Sequence, residues 1–462
     1  MRRIAIAALC LLAAACSGGD CDADNQKSFL RSWTDNLYLW YREVPAVDPD
    51  AYPNPIDYFA QLKTPAKTAS NKDKDQFHFT YPTDVWHSLS QSGVEAGYGV
   101  TWAALATKPP RQFVAAFNEP GSPAAVNHLD RGVEIVSIDG VDFVNAPDKD
   151  SVDKLNAGLS PKAGEQHTFV VRDPVGTARS VTMTAQDVTG TPVRNTTLDT
   201  PSGKVGYMLF NDHNAPAEKQ LIDAVNQFQS DGVTDVVLDI RYNGGGYLAI
   251  ASELAYMIAG SARTNNRTFE LLTFNDKHPT TDPVTGRPLT PTPFLGTTQG
   301  FSTSAGNQLP ALNLPRVFVL TSGSTCSASE SVINSLAGVD VQIIQIGTTT
   351  CGKPYGFYPQ DLCGTTYFSI QFQGVNDKGF GDYADGFTPG ATTGAGFPGC
   401  QVADDFGHAL GDPQEARLAA ALAWRTSPGC AAPLRSGLTS SRLRGEGRLF
   451  KNPWRENRIL GR

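Results

Sequence analysis

Past its first residues the 462-residue sequence has no long apolar run. A membrane span needs about 18 to 20 apolar residues in succession, and no interior segment approaches that. Internal repeats are missing too. The eight cysteines include no Cys-x-x-Cys pair and no Cys/His cluster, so their spacing gives zinc no support. A Walker-type phosphate loop is excluded, because Gly352-Lys353 lacks the glycine spacing and the Ser or Thr that should follow the lysine. Metal, nucleotide and redox chemistry are left without a motif, and no cofactor is implied. A folded basic face is also lacking. Residues Arg435 to Arg462 carry a net +6 and Arg2 and Arg3 add +2, so the segment between them carries -16 of the total -8. An acidic body with a basic tail does not fit a nucleic-acid binder. The tail fits an anionic lipid surface, a return onto the acidic body, or plain solvation.

What is present is enough apolar material, 40% of the chain with 9% aromatic, for two or three packed domains. The chain opens Met1-Arg2-Arg3, then an apolar run from Ile4 to Leu12, then Ala13-Ala14-Ala15-Cys16. A short positive region, a hydrophobic stretch and small residues before a cut site make a secretory signal peptide over 1–15. Cys16 is the expected lipidation site of a bacterial lipoprotein, although Ala13 stands where such signals usually carry Leu. Ordinary Ala-x-Ala cleavage gives the same boundary without an anchor. Either way the expected location is the bacterial cell envelope, lipid-anchored or soluble in the periplasm. Six cysteines remain, Cys21, Cys326, Cys351, Cys363, Cys400 and Cys430, and an even number in an exported chain implies disulfides.

Residues 16–90 open with Leu30, Trp33, Leu37 and Trp40 or Tyr41 at helical spacing, one face of an amphipathic helix in a small packed region. Residues 91–190 read as short strands and turns: Gly97-Tyr98-Gly99-Val100, then Gly121-Ser122-Pro123-Ala124-Ala125, then Arg131 to Gly140, whose last six residues alternate and end in an Asp139-Gly140 hairpin turn. Their order resembles a PDZ domain, which adds an extended peptide to a sheet edge, and this implies peptide binding at Tyr98, Gly99 and Val100. Across 191–434 strands at 205–210, 236–240, 317–320 and 341–346 alternate with helices, the pattern of a mostly parallel α/β sheet. A Thr/Pro/Asn/Gly-rich insertion interrupts it between Thr264 and Pro315 and reads as hairpins over the site. Asp412-Pro413-Gln414-Glu415 reads as an N-cap, a first-turn proline and an acidic third position. Residues 435–462 form the basic tail.

Three segments sit at the C-terminal ends of predicted strands, where catalytic groups gather in open α/β sheets. Asp239-Ile240-Arg241-Tyr242-Asn243-Gly244-Gly245-Gly246 is explained by an Asn-Gly turn, or by a bare backbone whose N–H groups can meet an oxyanion. In Thr325-Cys326-Ser327-Ala328-Ser329-Glu330, Ser327 and Glu330 fit a capping box. Equally, a Ser at a strand-to-helix turn is well placed as a nucleophile, beside N–H groups and a positive helix end. The third segment runs from Gly347 to Lys353. Tyr355, Phe357 and Tyr358 are placed to shield Lys353 from water, and desolvation suits a lysine to act as a base.

Together the three segments resemble the carboxyl-terminal processing peptidases, or tail-specific proteases, which are Ser–Lys hydrolases with a PDZ domain. The matching residues are Asp239 to Gly246, Ser327 to Glu330 and Gly352-Lys353, and the resemblance in domain order runs from about Leu30 to Trp424. It implies a mixed α/β, multidomain fold with a β/α catalytic core of the crotonase-like type, a PDZ-like β domain and a small N-terminal helical region. It further implies Ser327 as nucleophile, Lys353 as general base, and an oxyanion hole from the amide of Ala328 and that of Gly245 or Gly246. The implied activity is an exported serine endopeptidase acting on unstructured or C-terminal regions of polypeptides, with activity rising as pH frees the lysine of its proton. Two departures stand out. Phe357 occupies the position where many relatives carry a Gln that orients the lysine. Cys326 and Cys351 flank the two catalytic candidates, so the dyad geometry implies a disulfide bracing the site, in competition with the shorter loop Cys351–Cys363 and with Cys400–Cys430. His213, the best placed of seven histidines for relatives that use His as base, reads as a loop or surface residue. A catalytically weak or inactive binding protein on the same fold, and an esterase using the same serine, are the rival readings.

Overall fold

A computed structural model describes residues 21–391, 394–430, 443 and 445–450, with the backbone of 458–459. The expected signal peptide, the lipid acceptor Cys16 and most of the basic tail lie outside the described residues. Asp22 caps helix α1 (Ala23–Leu37) by accepting from Asp24 N–H. Leu30, Trp33 and Leu37 pack on Tyr58, Phe59 and Leu62, so the aromatic residues of this region form a core.

Next come five antiparallel strands, β1 (Val100–Ala106), β2 (Gln112–Asn118), β3 (Glu134–Ile138), β4 (Gln166–Arg172) and β5 (Ala178–Thr184), hydrogen-bonded in that order. Helix α2 (Lys149–Leu159) covers them. The expected hairpin forms at Asp139-Gly140, whose φ values of 50° and 78° are what a type I′ turn requires. Val141–Asp142 then returns to pair with β3. This module has its own core around Trp102, Ile135 and Phe169.

The largest core belongs to a six-stranded sheet. Strands β6 (Val193–Thr200) and β7 (Gly203–Phe210) pair antiparallel, and β8 (Asp235–Asp239) joins β7 in parallel. A short strand β9 (Gly246–Tyr247) leaves the sheet after the glycine turn. Strands β10 (Arg316–Thr321), β11 (Gln342–Gly347) and β12 (Gly399–Gln401) extend the parallel part in chain order. Along each strand alternate residues face opposite cores. Met208, Phe210, Val236 and Leu238 meet α3 (Ala217–Asp231), α4 (Leu248–Ala259) and α5 (Ala328–Gly338). Val205, Tyr207, Leu209 and Val237 meet α6 (Ala416–Thr426) on the other face. The α/β class and the helix and strand positions agree with the sequence pattern. Two further pieces of strand follow, β13 (Arg448–Phe450) and β14 (Arg458–Ile459).

One boundary differs. Helix α6 is capped by Glu415, not by Asp412, because the Glu415 carboxylate accepts from Leu418 N–H (3.0 Å) while binding Arg241 at 2.8 and 2.9 Å. That buried ion pair decides where the helix starts. Arg241 is fully buried and also bonds Asp239 (2.9 Å) and Asp404 (2.7 Å). Arg131, from the PDZ-like module, reaches the same Asp404 at 2.6 Å and donates to Tyr242 Oη at 2.6 Å, which docks that module on the glycine-turn segment. Burial alone would raise the pKa of Asp404, but Arg131, Arg241 and Arg417 override it and hold the carboxyl well below its usual range.

Within the 264–315 insertion, Thr268–Phe274 pairs with Phe372–Val375, and the 299–303 loop hangs on two buried glutamates. Glu218 accepts from the N–H groups of Gln299 (2.7 Å), Gly300 (3.0 Å), Ser302 (2.8 Å) and Thr303 (3.1 Å), and Glu253 accepts from Gln299 at 3.0 Å. Burial and the neighbouring Glu218 push Glu253 up to about 9. A carboxyl protonated in the fold and ionised in the unfolded chain stabilises most below about pH 4.5, and that contribution is lost progressively as pH rises towards 9. Glu253→Gln is therefore expected to flatten the fall in melting temperature between pH 5 and 9. An unchanged slope would refute the raised pKa of Glu253.

Candidate active site

Ser327 stands where β10 has turned into α5, with φ 60° and ψ -117°, a combination that few non-glycine residues adopt and that costs about 1–3 kcal/mol. The turn is held in that shape by the glycine-turn segment beside it. Thr325 Oγ1 donates to Ile240 O (2.9 Å), Cys326 N–H to Asn243 O (3.0 Å) and Ser329 Oγ to Asn243 O (3.1 Å). Ser327 Oγ itself is fully buried and has no hydrogen-bond partner among the described residues. Its N–H donates to Glu330 Oε2 at 2.9 Å.

Glu330 does far more than cap a helix. The same Oε2 accepts Lys353 N–H at 2.8 Å, while Oε1 accepts Gly352 N–H (2.9 Å) and the Thr350 hydroxyl. One carboxylate thus ties the backbone of the proposed nucleophile to that of the proposed base. Burial raises the Glu330 pKa, and those four donors oppose the rise. The second tie is covalent. Cys326 and Cys351 form a disulfide with Cα atoms 5.2 Å apart, as the resemblance implied. Cys400–Cys430 also forms, and Cys21 pairs with Cys363, so the alternative Cys351–Cys363 is not made. With both nearby sulfurs joined to each other, Glu330 has no partner ligands for a metal among the described residues.

Lys353 is fully buried, with Nζ 4.6 Å from the Phe77 ring centroid and 4.8 Å from that of Phe357. The shielding differs from the expected Tyr355, Phe357 and Tyr358. Phe77 comes from the N-terminal region, Tyr355 stacks edge-on against Trp40 at 4.8 Å, and Tyr358 donates to Asp282 in the insertion at 2.5 Å. Phe357, at the position of the missing Gln, contributes a ring face, which attracts an ammonium group.

On the glycine turn, Gly245 N–H donates to Asn243 Oδ1 at 2.9 Å, so of the two expected glycine donors that of Gly245 is already engaged. Gly246 has φ 137°, and a Cβ there would lie 2.5 Å from His213 O, so only glycine fits. Ala328 is the first residue of α5, and its N–H is one of those with no acceptor inside the helix. His213 is a correction. It is buried, not a surface residue, with Nδ1 3.0 Å from Asn243 Oδ1 and Nε2 lacking any hydrogen-bond partner among the described residues. Burial pushes its pKa down to about 3 against the hydrogen bonds of Asn243 and Gly245, so the ring is neutral. Only its position just past a strand of the parallel sheet hinted at this place.

In the PDZ-like module, Tyr98, Gly99 and Val100 come together at the head of β1. They line a cleft of about 380 Å³ with Trp102, Leu159 and Phe450. Gly99 has φ 75°, and a Cβ there would meet Ser122 Cβ at 2.3 Å.

Comparison with known proteins gives matches over both ends of this arrangement. The model of Peptidase family S41 matches residues 204–379, and that of the Peptidase S41 N-terminal domain matches residues 25–81. The carboxyl-terminal-processing protease of Picosynechococcus is 34% identical over 138 residues, 29% of this chain and 32% of that protein. The chloroplastic carboxyl-terminal-processing peptidase 1 of Arabidopsis thaliana is 26% identical over 238 residues, 50% of this chain and 42% of that protein. The matched segments thus span less than half the length of these relatives. The crystal structure of a Bacteroides fragilis protein assigned to the S41 proteases superposes with a TM-score of 0.64 at 23% identity, over 86% of this chain and 97% of that one, which fixes the fold.

Proposed function

Because the chain belongs to peptidase family S41, the family of the carboxyl-terminal-processing proteases, we propose that it is a serine endopeptidase working through Ser327 and Lys353 on extended polypeptides. The observation that carries this reading is the placement of both residues on one carboxylate oxygen, with a serine hydroxyl at a strained turn that has no hydrogen-bond partner among the described residues. Ser327 Oγ attacks the peptide carbonyl as its proton passes to neutral Lys353 Nζ. The oxyanion so formed is met by the N–H groups of Ala328 and Gly246 at the positive end of α5. Collapse of the tetrahedral species breaks the C–N bond, and Lys353 returns the proton to the departing amine. Water, deprotonated by the same lysine, then releases the acyl group from Ser327. The cleft at Tyr98, Gly99 and Val100 receives an extended stretch of the same substrate by strand addition. Export is supported by three disulfides, which persist in oxidising compartments.

A serine-directed sulfonyl fluoride tests the dyad by mass spectrometry. The expected adduct is on Ser327, at a rate that rises with pH to a plateau as the lysine loses its proton, and Lys353→Ala abolishes it. Absence of an adduct on Ser327 at every pH would favour the binding-protein reading.

A further inference from the structure

His213 grips the glycine turn from two directions. Its backbone N–H donates to Gly245 O (3.1 Å), and its carbonyl accepts from Tyr247 N–H (2.9 Å), so that it pairs in parallel with Gly246. Gly245 C=O and Gly246 N–H belong to one planar trans peptide and point in opposite directions. By holding that carbonyl, His213 fixes the Gly246 N–H on the far side of the turn from itself. Gly246 is the proposed oxyanion donor.

The side chain adds a third hold. Asn243 Oδ1 accepts from Gly245 N–H (2.9 Å) and lies 3.0 Å from His213 Nδ1, while Asn243 Nδ2 donates to Phe210 O (2.9 Å) at the end of β7. The Gly245 donor identifies the atom facing it as the amide oxygen. His213 Nδ1 therefore carries the proton of the neutral ring and donates to that same oxygen. The other nitrogen, Nε2, is buried with no hydrogen-bond partner among the described residues, and Phe210 packs on the ring at 4.3 Å between centroids. An apolar side chain in this place would avoid burying an unpaired nitrogen, so what the imidazole adds is its Nδ1 donor. Asn243 reaches the nucleophile as well, since its carbonyl accepts from Cys326 N–H (3.0 Å) and Ser329 Oγ (3.1 Å) on either side of Ser327.

We propose that His213 is a positioning residue of the oxyanion hole, its Nδ1–H acting through Asn243 and its backbone through Gly245 to aim the Gly246 N–H. This rests on the peptidase reading above, and it gives His213 a role other than that of a base. The effect falls on the transition state, because the oxyanion charge appears only after attack. Loss of one oxyanion donor lowers kcat about 10²- to 10³-fold.

The experiment keeps the backbone bonds and changes only the side chain. His213→Asn puts an amide N–H₂ near the Nδ1 position, His213→Gln puts one near Nε2, and His213→Ala has no donor. On an unfolded polypeptide, His213→Ala and His213→Gln are expected to lose about 10²-fold in kcat with KM within about two-fold of the parent, and His213→Asn to recover most of that loss. A peptidyl aldehyde, which forms a tetrahedral adduct on a serine, should lose affinity for each variant by the same factor as kcat/KM. Parent-like kcat in His213→Ala and His213→Gln, or a folded His213→Asn as impaired as they are, would overturn the proposal. A second readout needs no catalysis. Amide hydrogen exchange across residues 243–247 should be faster in His213→Ala and His213→Gln than in the parent and His213→Asn. Equal exchange in all four chains would overturn the positioning role even in an active peptidase. A parent that neither cleaves nor takes up the aldehyde, with the exchange difference intact, would overturn the peptidase reading and leave the hold of His213 on the turn.

Discussion

Replacing Ser327 by alanine is expected to lower cleavage of an unfolded polypeptide by about 10⁴-fold or more while leaving the melting temperature where it was. The two halves of that expectation have separate causes. In the proposed mechanism the hydroxyl is the atom that forms the acyl bond, so its removal ends that chemistry and leaves only whatever the oxyanion donors achieve with water. The same hydroxyl has no hydrogen-bond partner among the described residues, so its deletion orphans no buried group there. Ser327→Gly should go further and raise the melting temperature, because glycine adopts φ 60° without the cost that serine bears there. An inactive but more stable variant is the signature of strain held at a working site. Parent-like cleavage by purified Ser327→Ala would place the nucleophile elsewhere.

Glu330→Ala is expected to damage both stability and activity. Its carboxylate is the acceptor for three buried N–H groups, of Ser327, Gly352 and Lys353, and for the Thr350 hydroxyl. Each buried donor left without an acceptor costs about 1–3 kcal/mol, so a loss of about 3 kcal/mol or more is expected in a denaturant titration. Activity should fall by at least about 10²-fold in the folded fraction, since displacement of reacting groups by about 1 Å is enough for that. Glu330→Gln retains one acceptor oxygen but turns an amide N–H₂ towards donors, and should fall between the two. A purified Glu330→Ala chain with parent stability and kcat/KM would reduce Glu330 to a helix cap. In that case the Cys326–Cys351 disulfide would tie the backbones of the two proposed catalytic residues.

The lysine also gains a specific geometry. A Gln four residues on would orient it by hydrogen bonding, whereas here Phe77 and Phe357 present ring faces to its Nζ. Ring faces attract an ammonium group, so in this chain they stand in place of that hydrogen bond. Phe77 belongs to the N-terminal region, which therefore takes part in the site and is more than a neighbouring module.

Much of this architecture was legible along the chain. The strands at β7, β8, β10 and β11 are short apolar runs, α3 ends at a left-handed Gly232, and the Asp139-Gly140 turn closes its hairpin, all because those signals act within a turn or two of backbone. The three motifs at strand ends were visible for the same reason. What stayed hidden required partners distant in sequence. Ser327 and Glu330 read as a capping box, and the donors from Thr350 to Lys353 that make Glu330 a hub reach it only when β10 and β11 lie side by side. Asp412 had the local features of a cap, but Glu415 is held by buried Arg241, and that pairing set the start of α6. His213 looked like a loop residue until the glycine turn closed over it and excluded water. The basic tail was evident from composition, yet its seat on β1 and β9 was not, since backbone pairing at a sheet edge leaves little trace in either strand's side chains. Local spacing thus decided which elements form and where the candidate residues lie along the chain. Long-range burial decided which carboxylate, ring and strand surround them, because the free energy of a buried polar group depends on partners that only the folded chain brings within reach.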